Sequence, residues 1–450
     1  MSTTGIIIIA FVIAIVIMIT LIAKFHMHAV LSLFLCTLGL GIVISMVVPD
    51  VTPVTKIMST INSGFSSTIK SIAIIIMLGS LLGKILEESG AAQALTFWLV
   101  KLVGKKNVIW AIGIAAFILG IPVFSDTVTI LLIPIVSNLA LETGASMMSY
   151  GTALAVSAQI THCLVAPTPG PVAGAALLGV PLGAAIPWGL LVSIPALIVV
   201  VLWAKFGCKE MVMPKQEHLD AYEKTKGMKL PSVGLSIAPL AVPVILIILN
   251  TVVGTIAKGS TAANLFAFIG AAEPALLIGC ILGAVTLTEG KWKTKLVLND
   301  WIEVALRDSA MPVFVTGMGG AMAQFIKDTG VSDVIAQAIV DAGFPTIFVP
   351  IILSAIIHVI TGSSTLAVSA GGAIVAPMME TLGISPLATF LAICSAAMMF
   401  KHGNSSAFWM GVSLSGMSFP QGLKGVGIGC TLGSIASSIF TVILFYIGVI

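Results

Sequence analysis

Residues 79–90 have the sequence GSLLGKILEESG, and residues 319–330, about 240 positions further on, have the sequence GGAMAQFIKDTG. Glycines stand at both ends of both stretches, and the acidic residue Glu88 aligns with Asp328. Apolar helices match one another easily by chance, so these glycine and charge coincidences carry more weight than the shared apolar residues. The alignment predicts an internal duplication, which sets the architecture of the whole chain.

Two further pairs of segments follow nearly the same offset. Residues 120–134, GIPVFSDTVTILLIP, match residues 362–377, GSSTLAVSAGGAIVAP, in their opening glycine, small polar residues and closing proline. Farther on, Thr161-His162 aligns with Lys401-His402. The three pairs occur in the same order in both halves, as expected if one ancestral segment was duplicated.

The longest hydrophilic segment of the chain lies between the two halves. Residues 205–233 contain six lysines. Because lysine-rich loops remain preferentially on the cytoplasmic side of a membrane, we expect this segment to be cytoplasmic. We therefore predict an N-terminal repeat over residues 1–206, a linker over residues 207–233 and a C-terminal repeat over residues 234–450.

The composition identifies an integral membrane protein. Of 450 residues, 58% are hydrophobic and only 9% are charged, whereas soluble domains carry about a quarter charged residues. A net charge of +3, with the basic residues in short loops, gives no reason to expect a nucleic-acid partner. The six cysteines are scattered without metal-ligand spacing, so we expect small packing residues and no cofactor.

The hydropathy pattern predicts an all-α polytopic membrane protein with about twelve transmembrane helices. A hydrocarbon core of about 30 Å requires about 20 apolar residues in a helix. By that rule the predicted spans lie near residues 5–23, 29–48, 71–86, 107–124, 148–165, 186–204, 235–257, 262–287, 311–326, 343–360, 386–400 and 426–449. Four other apolar stretches are interrupted by glycine, proline or serine and are predicted to be irregular: 125–142, 166–184, 361–379 and 403–423.

Interrupted segments at matching positions of two repeats are typical of the binding sites of secondary transporters. Backbone groups without partners cannot face lipid, so broken helices persist only inside protein or around a wet cavity. The N-termini of such half-helices carry free N–H donors and partial positive charge, which favour an anionic substrate. We expect the interrupted segments of the two halves to meet at one site.

Five stretches resemble the gluconate permease family: GKILEESGAA (83–92), GIPVF (120–124), ITHCLVAPTPGPVAGA (160–175), GSSTLAVSAGGAIVAP (362–377) and KHGNSSAFW (401–409). The resemblance extends over nearly the whole chain. It implies a symporter of the bacterial inner membrane for gluconate or a related small hydroxy acid. It further implies inverted repeats, re-entrant helical hairpins and a homodimer with elevator-like movement.

The chain departs from the usual pattern of that family at several positions of the implied site. After GIPVF the family has an aromatic residue and a glutamate, where this chain has Ser125 and Asp126. A histidine of the family is replaced by Thr168, a serine by Lys401 and an aspartate by Ser405. These differences weaken the inference to gluconate itself more than the inference to the fold.

Predicted substrate ligands come from the interrupted segments of both halves. They are Ser125, Thr127, His162, Thr168, Gly170, Ser363, Ser364, Thr365, Lys401, His402, Asn404, Ser405 and Ser406. Asp126 is the preferred proton-coupling residue, followed by His162, because an intramembrane carboxylate must be paired, neutral or exposed to a cavity. We also expect Lys401 to pair with Asp126 when the substrate is absent.

Each of these residues also has a structural interpretation. Asp126 and the serines and threonine of 363–365 could cap helices, the two matched histidines could serve helix packing, and Lys401 could be an interfacial anchor. His358 has no counterpart in the other half, which favours a structural role. Glu273, in FIGAAEPALLIG, is either a turn residue or an interior charge.

Other functional classes are disfavoured by what the sequence lacks. No GxxxxGK[ST] motif of a nucleotide-driven pump and no HExxH motif of a metalloprotease is present. A channel also uses re-entrant segments, but the matched segments here differ in charge, which favours one asymmetric binding site. We therefore predict a cation-coupled secondary transporter and not an enzyme. The alternatives are a channel or a Na⁺-coupled carrier for another small polar organic anion or amino acid.

Overall fold

The computed structural model describes residues 3–450, except 51, 105–106, 226–228, 289 and 330. Regular structure within these residues is helical. The α-helices are α1 (Thr3–Ala23), α2 (Ala29–Val47), α3 (Ile57–Glu88), α4 (Ala91–Val103), α5 (Val108–Leu119), α6 (Ser125–Thr143), α7 (Met147–Leu164), α8 (Pro169–Leu178), α9 (Leu182–Phe206), α10 (Gln216–Thr225), α11 (Val233–Ile256), α12 (Thr261–Ile269), α13 (Ala272–Leu287), α14 (Trp301–Thr329), α15 (Val331–Asp341), α16 (Phe348–Thr361), α17 (Ser364–Val375), α18 (Met379–Leu382), α19 (Pro386–Ala396), α20 (Ser406–Leu414), α21 (Phe419–Gly422) and α22 (Ile428–Tyr446).

Nine helical segments in the described part of the chain are long and apolar enough to cross a membrane. A tenth span results if α12 and α13, which are bent by 64° at Gly270 and Ala271, are counted as one. Four of the twelve predicted spans are not among these segments, because α5, α16 and α19 contain only 12, 14 and 11 residues and the 18-residue α7 is less apolar. Conversely, Ser125–Thr143 and Ser364–Leu382, which were not predicted as spans, are long and apolar enough. The protein is therefore a polytopic helical membrane protein in which several apolar helices are shorter than a full span.

The interruptions in the chain lie beside regular helices. The stretch 125–142, predicted to be irregular, forms the 19-residue helix α6 with Pro134 inside it. Stretch 361–379 likewise contains the regular helix α17. Beside these helices the backbone is non-helical in short breaks, which include 120–124, 165–168, 362–363 and 397–405.

A similar order of helices occurs in both halves. A long helix (α3 or α14) is followed by two shorter helices, a break, two helices in the first half (α6 and α7) or three in the second (α17, α18 and α19), a second break and the remaining helices. The two 29- and 32-residue helices begin these series about 244 residues apart, at Trp301 and Ile57. This order agrees with the duplication in the sequence. The exact repeat boundaries and the inverted orientation of the repeats stay predictions.

Helices α3 and α14 pack closely because small residues face each other. A Cβ atom at Gly64 would lie 2.7 Å from the backbone of Gly320 and Ala321. Nearer the site, a Cβ atom at Gly79 would lie 3.1 Å from the carbonyl oxygen of Pro167, in the break between α7 and α8. Gly319, the counterpart of Gly79, faces the backbone of Ser369 in α17. The paired long helices thus form a support against which the broken segments pack.

The predicted linker, residues 207–233, contacts the last helices of the chain. Lys424 Nζ donates a hydrogen bond to Glu210 Oε1 over 2.8 Å, and the His218 ring contacts the Leu414 carbonyl oxygen at 3.0 Å. The hydrogen bond from Lys424 holds the pKa of the exposed Glu210 carboxyl below its usual range. These contacts join the segment after α9 to the last helices of the chain.

Two smaller sequence interpretations can be compared with the structure. Lys84 and Glu88, expected to pair at i,i+4, form an ion pair of 2.7 Å at the end of α3. Glu273 lies in the first turn of α13, directly after the bend, so it is a residue of the turn region. His358 is fully buried, and its Nδ1 atom lies 2.8 Å from the carbonyl oxygen of Met399, consistent with a structural role.

Candidate functional site

Three helices begin at one cavity. Helix α6 starts at Ser125, α17 at Ser364 and α20 at Ser406, and all three serines line a cavity of about 560 Å³. The first turn of an α-helix has backbone N–H groups without partners in the helix, and the helix dipole adds partial positive charge there. The convergence of three such termini, two from the second half and one from the first, makes the cavity suitable for an anion.

Local sequence determines where α17 begins. Gly362 ends α16 with a φ of +70°, a left-handed conformation that favours glycine. A Cβ atom at this position would lie 2.6 Å from the carbonyl oxygen of Asn404, so a side chain would also separate two of the breaks. Ser363 then caps α17 by accepting a hydrogen bond from the Leu366 backbone N–H. Glycine and serine together bring the start of α17 against the break before α20.

Asp126 joins the two halves of the chain at the cavity. It lies half-buried in the first turn of α6. Its Oδ2 atom accepts a hydrogen bond of 3.3 Å from Ser406 Oγ at the start of α20. The carboxylate therefore lines the cavity and also bonds the first residue of α20, a helix of the other half.

Lys401 brings a buried positive charge to the same cavity. Its side chain is only 3% exposed, and Nζ donates a hydrogen bond of 3.1 Å to Ser405 Oγ. The ion pairs of the described residues do not include one between Lys401 and Asp126, so the expected pairing is absent from this conformation. Instead, the neighbouring residues Ser405 and Ser406 contact the lysine and the aspartate respectively. A buried ammonium without a carboxylate partner favours binding of an anion.

His162 offers an unused hydrogen-bonding atom. The ring lines the cavity at the end of α7, is 9% exposed and lies 5.7 Å, centroid to centroid, from the Phe124 ring. Within the described part of the chain, Nδ1 is buried and has no hydrogen-bond partner. Because buried polar atoms are normally paired, this nitrogen is a candidate contact for a substrate hydroxyl group.

Gln159, which the sequence analysis did not select, lies at the centre of the polar lining. It is 3% exposed and lies one turn of α7 before His162. Ser125 Oγ donates to its Oε1 over 3.0 Å, and its Nε2 donates to Ser364 Oγ over 3.1 Å. One side chain thus connects the start of α6 with the start of α17. A glutamine within the apolar run AVSAQITHC was the signal in the sequence.

Two further lining residues come from outside the interrupted segments. Asp308 on α14 and His28 in the connection between α1 and α2 line the cavity, and both are exposed. Sequence analysis missed Asp308 because it lies in the amphipathic stretch before the predicted span 311–326. Only the packing of α14 against the breaks brings it to the cavity.

Most of the predicted ligands lie together, and four do not. The cavity lining includes Ser125, Asp126, His162, Ser363, Ser364, Thr365, Lys401, Asn404, Ser405 and Ser406. It does not include Thr127, Thr168, Gly170 and His402.

Two of the residues outside the lining, Thr168 and His402, lie in the breaks and have hydrogen bonds to backbone carbonyl oxygens. Thr168 Oγ1 donates to the carbonyl oxygens of His162 and Val165 over 3.0 and 2.6 Å, so it stabilises the break that follows α7. The His402 ring contacts the Val359 carbonyl oxygen at 2.9 Å. His162 and His402 differ because α7 continues to Leu164, whereas α19 ends at Ala396 and leaves His402 in a non-helical break.

Comparison with known proteins agrees with the fold and with the resemblance seen in the motifs. The family described as GntP family permease matches residues 6–447. A gluconate permease of Zymomonas mobilis is 31% identical over 439 residues, covering 95% of each chain. The high-affinity gluconate transporter of Escherichia coli is 27% identical over 400 residues, covering 88% of this chain and 90% of that one.

Solved structures with the same fold are also transporters. The YdaH transporter of Alcanivorax borkumensis has a TM-score of 0.63 at 15% identity and covers 85% of this chain and 88% of its own. The efflux pump MtrF of Neisseria gonorrhoeae has a TM-score of 0.58 at 15% identity and covers 96% of each chain. At this identity the likeness concerns the fold alone. With the match over nearly its full length, the chain belongs to the GntP family of permeases, and it is a multi-pass transport protein of the bacterial cell membrane.

Proposed function

We propose that the protein imports gluconate or a related small hydroxylated monocarboxylate by symport with protons. Three relatives that are 31%, 28% and 26% identical are named gluconate permeases or a gluconate transporter. The polarity of the cavity supports the proposal most directly, since a buried lysine and three helix N-termini favour a carboxylate.

The carboxylate of the substrate is placed near Lys401 and the starts of α17 and α20. Ser363, Ser364 and Thr365 lie at one of these termini, and Asn404, Ser405 and Ser406 lie at the other. Their backbone N–H groups and hydroxyls can donate to the two carboxylate oxygens. Hydrogen bonds to a charged group contribute about 1.5–3 kcal/mol each, so a few of them suffice to hold the anion.

The hydroxyl groups of the substrate are placed toward the first half of the chain. His162, Asp126 and Ser125 line this side, and each side chain carries an atom that can accept a hydrogen bond. A polyhydroxylated chain satisfies these acceptors, whereas a plain fatty acid leaves them unpaired. The cavity therefore favours a hydroxy acid over an apolar carboxylate of the same length.

Proton coupling is assigned to Asp126. The carboxylate contacts the cavity and also bonds Ser406, so its protonation changes both the charge near the substrate and a contact between the two halves. A carboxylic acid within the membrane is stable only when it is neutral or paired. Asp126 is therefore suited to carry the coupling proton. His162 is the second candidate for this role.

Transport by purified protein in proteoliposomes tests the proposal. We expect an inwardly directed proton gradient to drive accumulation of radiolabelled gluconate. Unlabelled gluconate inside the vesicles should stimulate saturable counterflow. Accumulation that follows a Na⁺ gradient and ignores the pH gradient would assign sodium as the coupling ion. A flux that does not saturate and shows no counterflow would indicate a channel.

A further inference from the structure

Gln159 has its hydrogen-bonding groups committed in a fixed pattern. Its Nε2 atom donates to Ser364 Oγ and also to Cys163 Sγ, over 3.1 and 3.0 Å, while its Oε1 accepts from Ser125 Oγ. A primary amide has two N–H donors, so both are used. The side chain is 3% exposed, and water therefore has little access to replace these partners.

The orientation of the amide follows from the thiol beside it. Cys163 Sγ has one hydrogen, which is directed to the carbonyl oxygen of Ala397 over 3.9 Å. The sulfur atom can then act toward Gln159 only as an acceptor, so the amide nitrogen, and not the amide oxygen, must face it. The opposite end of the amide is left to accept from Ser125.

This orientation gives the two serines at the helix starts opposite roles. Ser125 uses its only hydrogen toward Gln159 and faces the cavity with oxygen lone pairs, as an acceptor. Ser364 receives a hydrogen from Gln159 and keeps its own hydrogen to donate. The cavity and the Cys163 thiol are its neighbours, and a carboxylate is a far stronger acceptor than a thiol sulfur.

We infer that Gln159 is a specificity-determining residue that fixes one serine as acceptor and the other as donor, and so selects acids with a hydroxyl group at carbon 2. This inference rests on the proposed function. In a 2-hydroxy acid, the carboxylate accepts from Ser364 while the hydroxyl on the adjacent carbon donates to Ser125. Ser125 Oγ lies 3.0 Å from Oε1 and Ser364 Oγ lies 3.1 Å from Nε2 of the same amide, so the acceptor and the donor are held beside one side chain.

The inference predicts a change in discrimination and not merely in affinity. Gln159→Met keeps the length of the side chain but releases both serines, whose hydroxyls can then rotate. Thr161→Val is the matched control, because Thr161 is a fully buried polar residue on the same helix that bonds Phe117 and does not line the cavity.

Competition of gluconate and 2-deoxygluconate for binding to the purified full-length protein provides the test. We expect the wild-type protein and Thr161→Val to prefer gluconate about tenfold, the worth of one satisfied buried hydrogen bond. In Gln159→Met the ratio of the affinities for gluconate and 2-deoxygluconate should fall to about one or two, because the contribution of that hydrogen bond is lost. Ser125→Ala removes the acceptor, together with the hydrogen bond to Gln159, and leaves the bond from Gln159 to Ser364 in place. It should reduce the preference to the same extent, which keeps the inference testable if Gln159→Met does not fold.

The outcomes separate the inference from the proposed function. Wild-type protein that binds neither acid refutes the proposed function, and the inference falls with it. Wild-type protein that binds both acids equally refutes the inference alone. An unchanged preference in Gln159→Met or Ser125→Ala, or an equal loss of both acids in Gln159→Met, would likewise overturn the assigned role.

Discussion

Replacing Lys401 by methionine tests whether the buried ammonium recognises the substrate. Methionine has a similar length and removes the charge together with the hydrogen bond to Ser405. Because the lysine is 3% exposed, its interaction with a carboxylate is little screened by water. We expect Lys401→Met to fold, since it removes an ionised group from an apolar setting.

The size of the effect follows from the contact that is lost. A hydrogen bond to a charged group contributes about 1.5–3 kcal/mol, and 1.4 kcal/mol corresponds to a factor of ten in affinity. Lys401→Met should therefore weaken gluconate binding by about 10- to 150-fold. The uncharged gluconamide, which gains less from an ammonium, should change by about threefold or less.

Equilibrium binding of gluconate and gluconamide to purified wild-type and variant protein measures this difference. Lys424→Met is a suitable control, because that lysine is paired with Glu210 outside the cavity and its loss should leave both affinities unchanged. An equal loss of affinity for gluconate and gluconamide would show that Lys401 stabilises the structure of the break and does not recognise the charge of the substrate. Normal binding of the acid by Lys401→Met would refute the assigned role.

Three further predictions concern coupling, topology and the linker. Asp126→Asn should abolish accumulation of substrate driven by a pH gradient while counterflow persists in proteoliposomes; full pH-driven accumulation would move the coupling role to another group. If the repeats are inverted, single cysteines next to Glu88 and Asp328 should be labelled from opposite faces of the membrane, and labelling from one face would indicate a parallel duplication. Because Lys424 lowers the pKa of Glu210, their contact should stabilise the protein above the usual pKa of a glutamate and be lost as the pH falls through the lowered value. The difference in melting temperature between wild type and Lys424→Met should therefore shrink on acidification, and a constant difference would contradict a role for the ionised pair.

The sequence predicted the site to the extent that local chain chemistry determines it. Gly362 and the serines after it end one helix and start another, and this can be recognised without tertiary information. The break before α6 was predicted differently, because the sequence indicated a span over 107–124 and an irregular stretch from 125, whereas the break covers 120–124 and α6 begins at Ser125. Since broken helices must be buried or line a cavity, their meeting at one site could be expected as well.

The remaining lining residues depend on packing that the sequence does not encode locally. Gln159 lies within a regular apolar helix, and only the approach of two other helix starts gives it a role. Asp308 reaches the cavity because α14 packs beside the breaks. His402 shows the opposite effect: its alignment with His162 is sound in sequence, but the two positions have different local backbone structures. Short apolar helices such as α5 were overestimated as spans because hydropathy continues past the end of the helix.

Two of the differences that the resemblance implies between this chain and the family pattern lie in contact. Position 401 has a lysine in place of a serine and position 405 a serine in place of an aspartate, and the structure places Lys401 Nζ 3.1 Å from Ser405 Oγ. The usual pair can make a hydrogen bond from a hydroxyl to a carboxylate, whereas this pair makes one from an ammonium to a hydroxyl. A hydrogen bond between positions 401 and 405 is thus possible with either pair of residues. The net charge of the break at 397–405 is, however, two units more positive with lysine and serine. An aspartate retained at 405 would have neutralised the lysine, so the two changes together leave the ammonium available to the cavity. Asp126 accepts a hydrogen bond from Ser406, the residue after Ser405, so substrate binding and proton coupling can act through adjacent serines of one helix start.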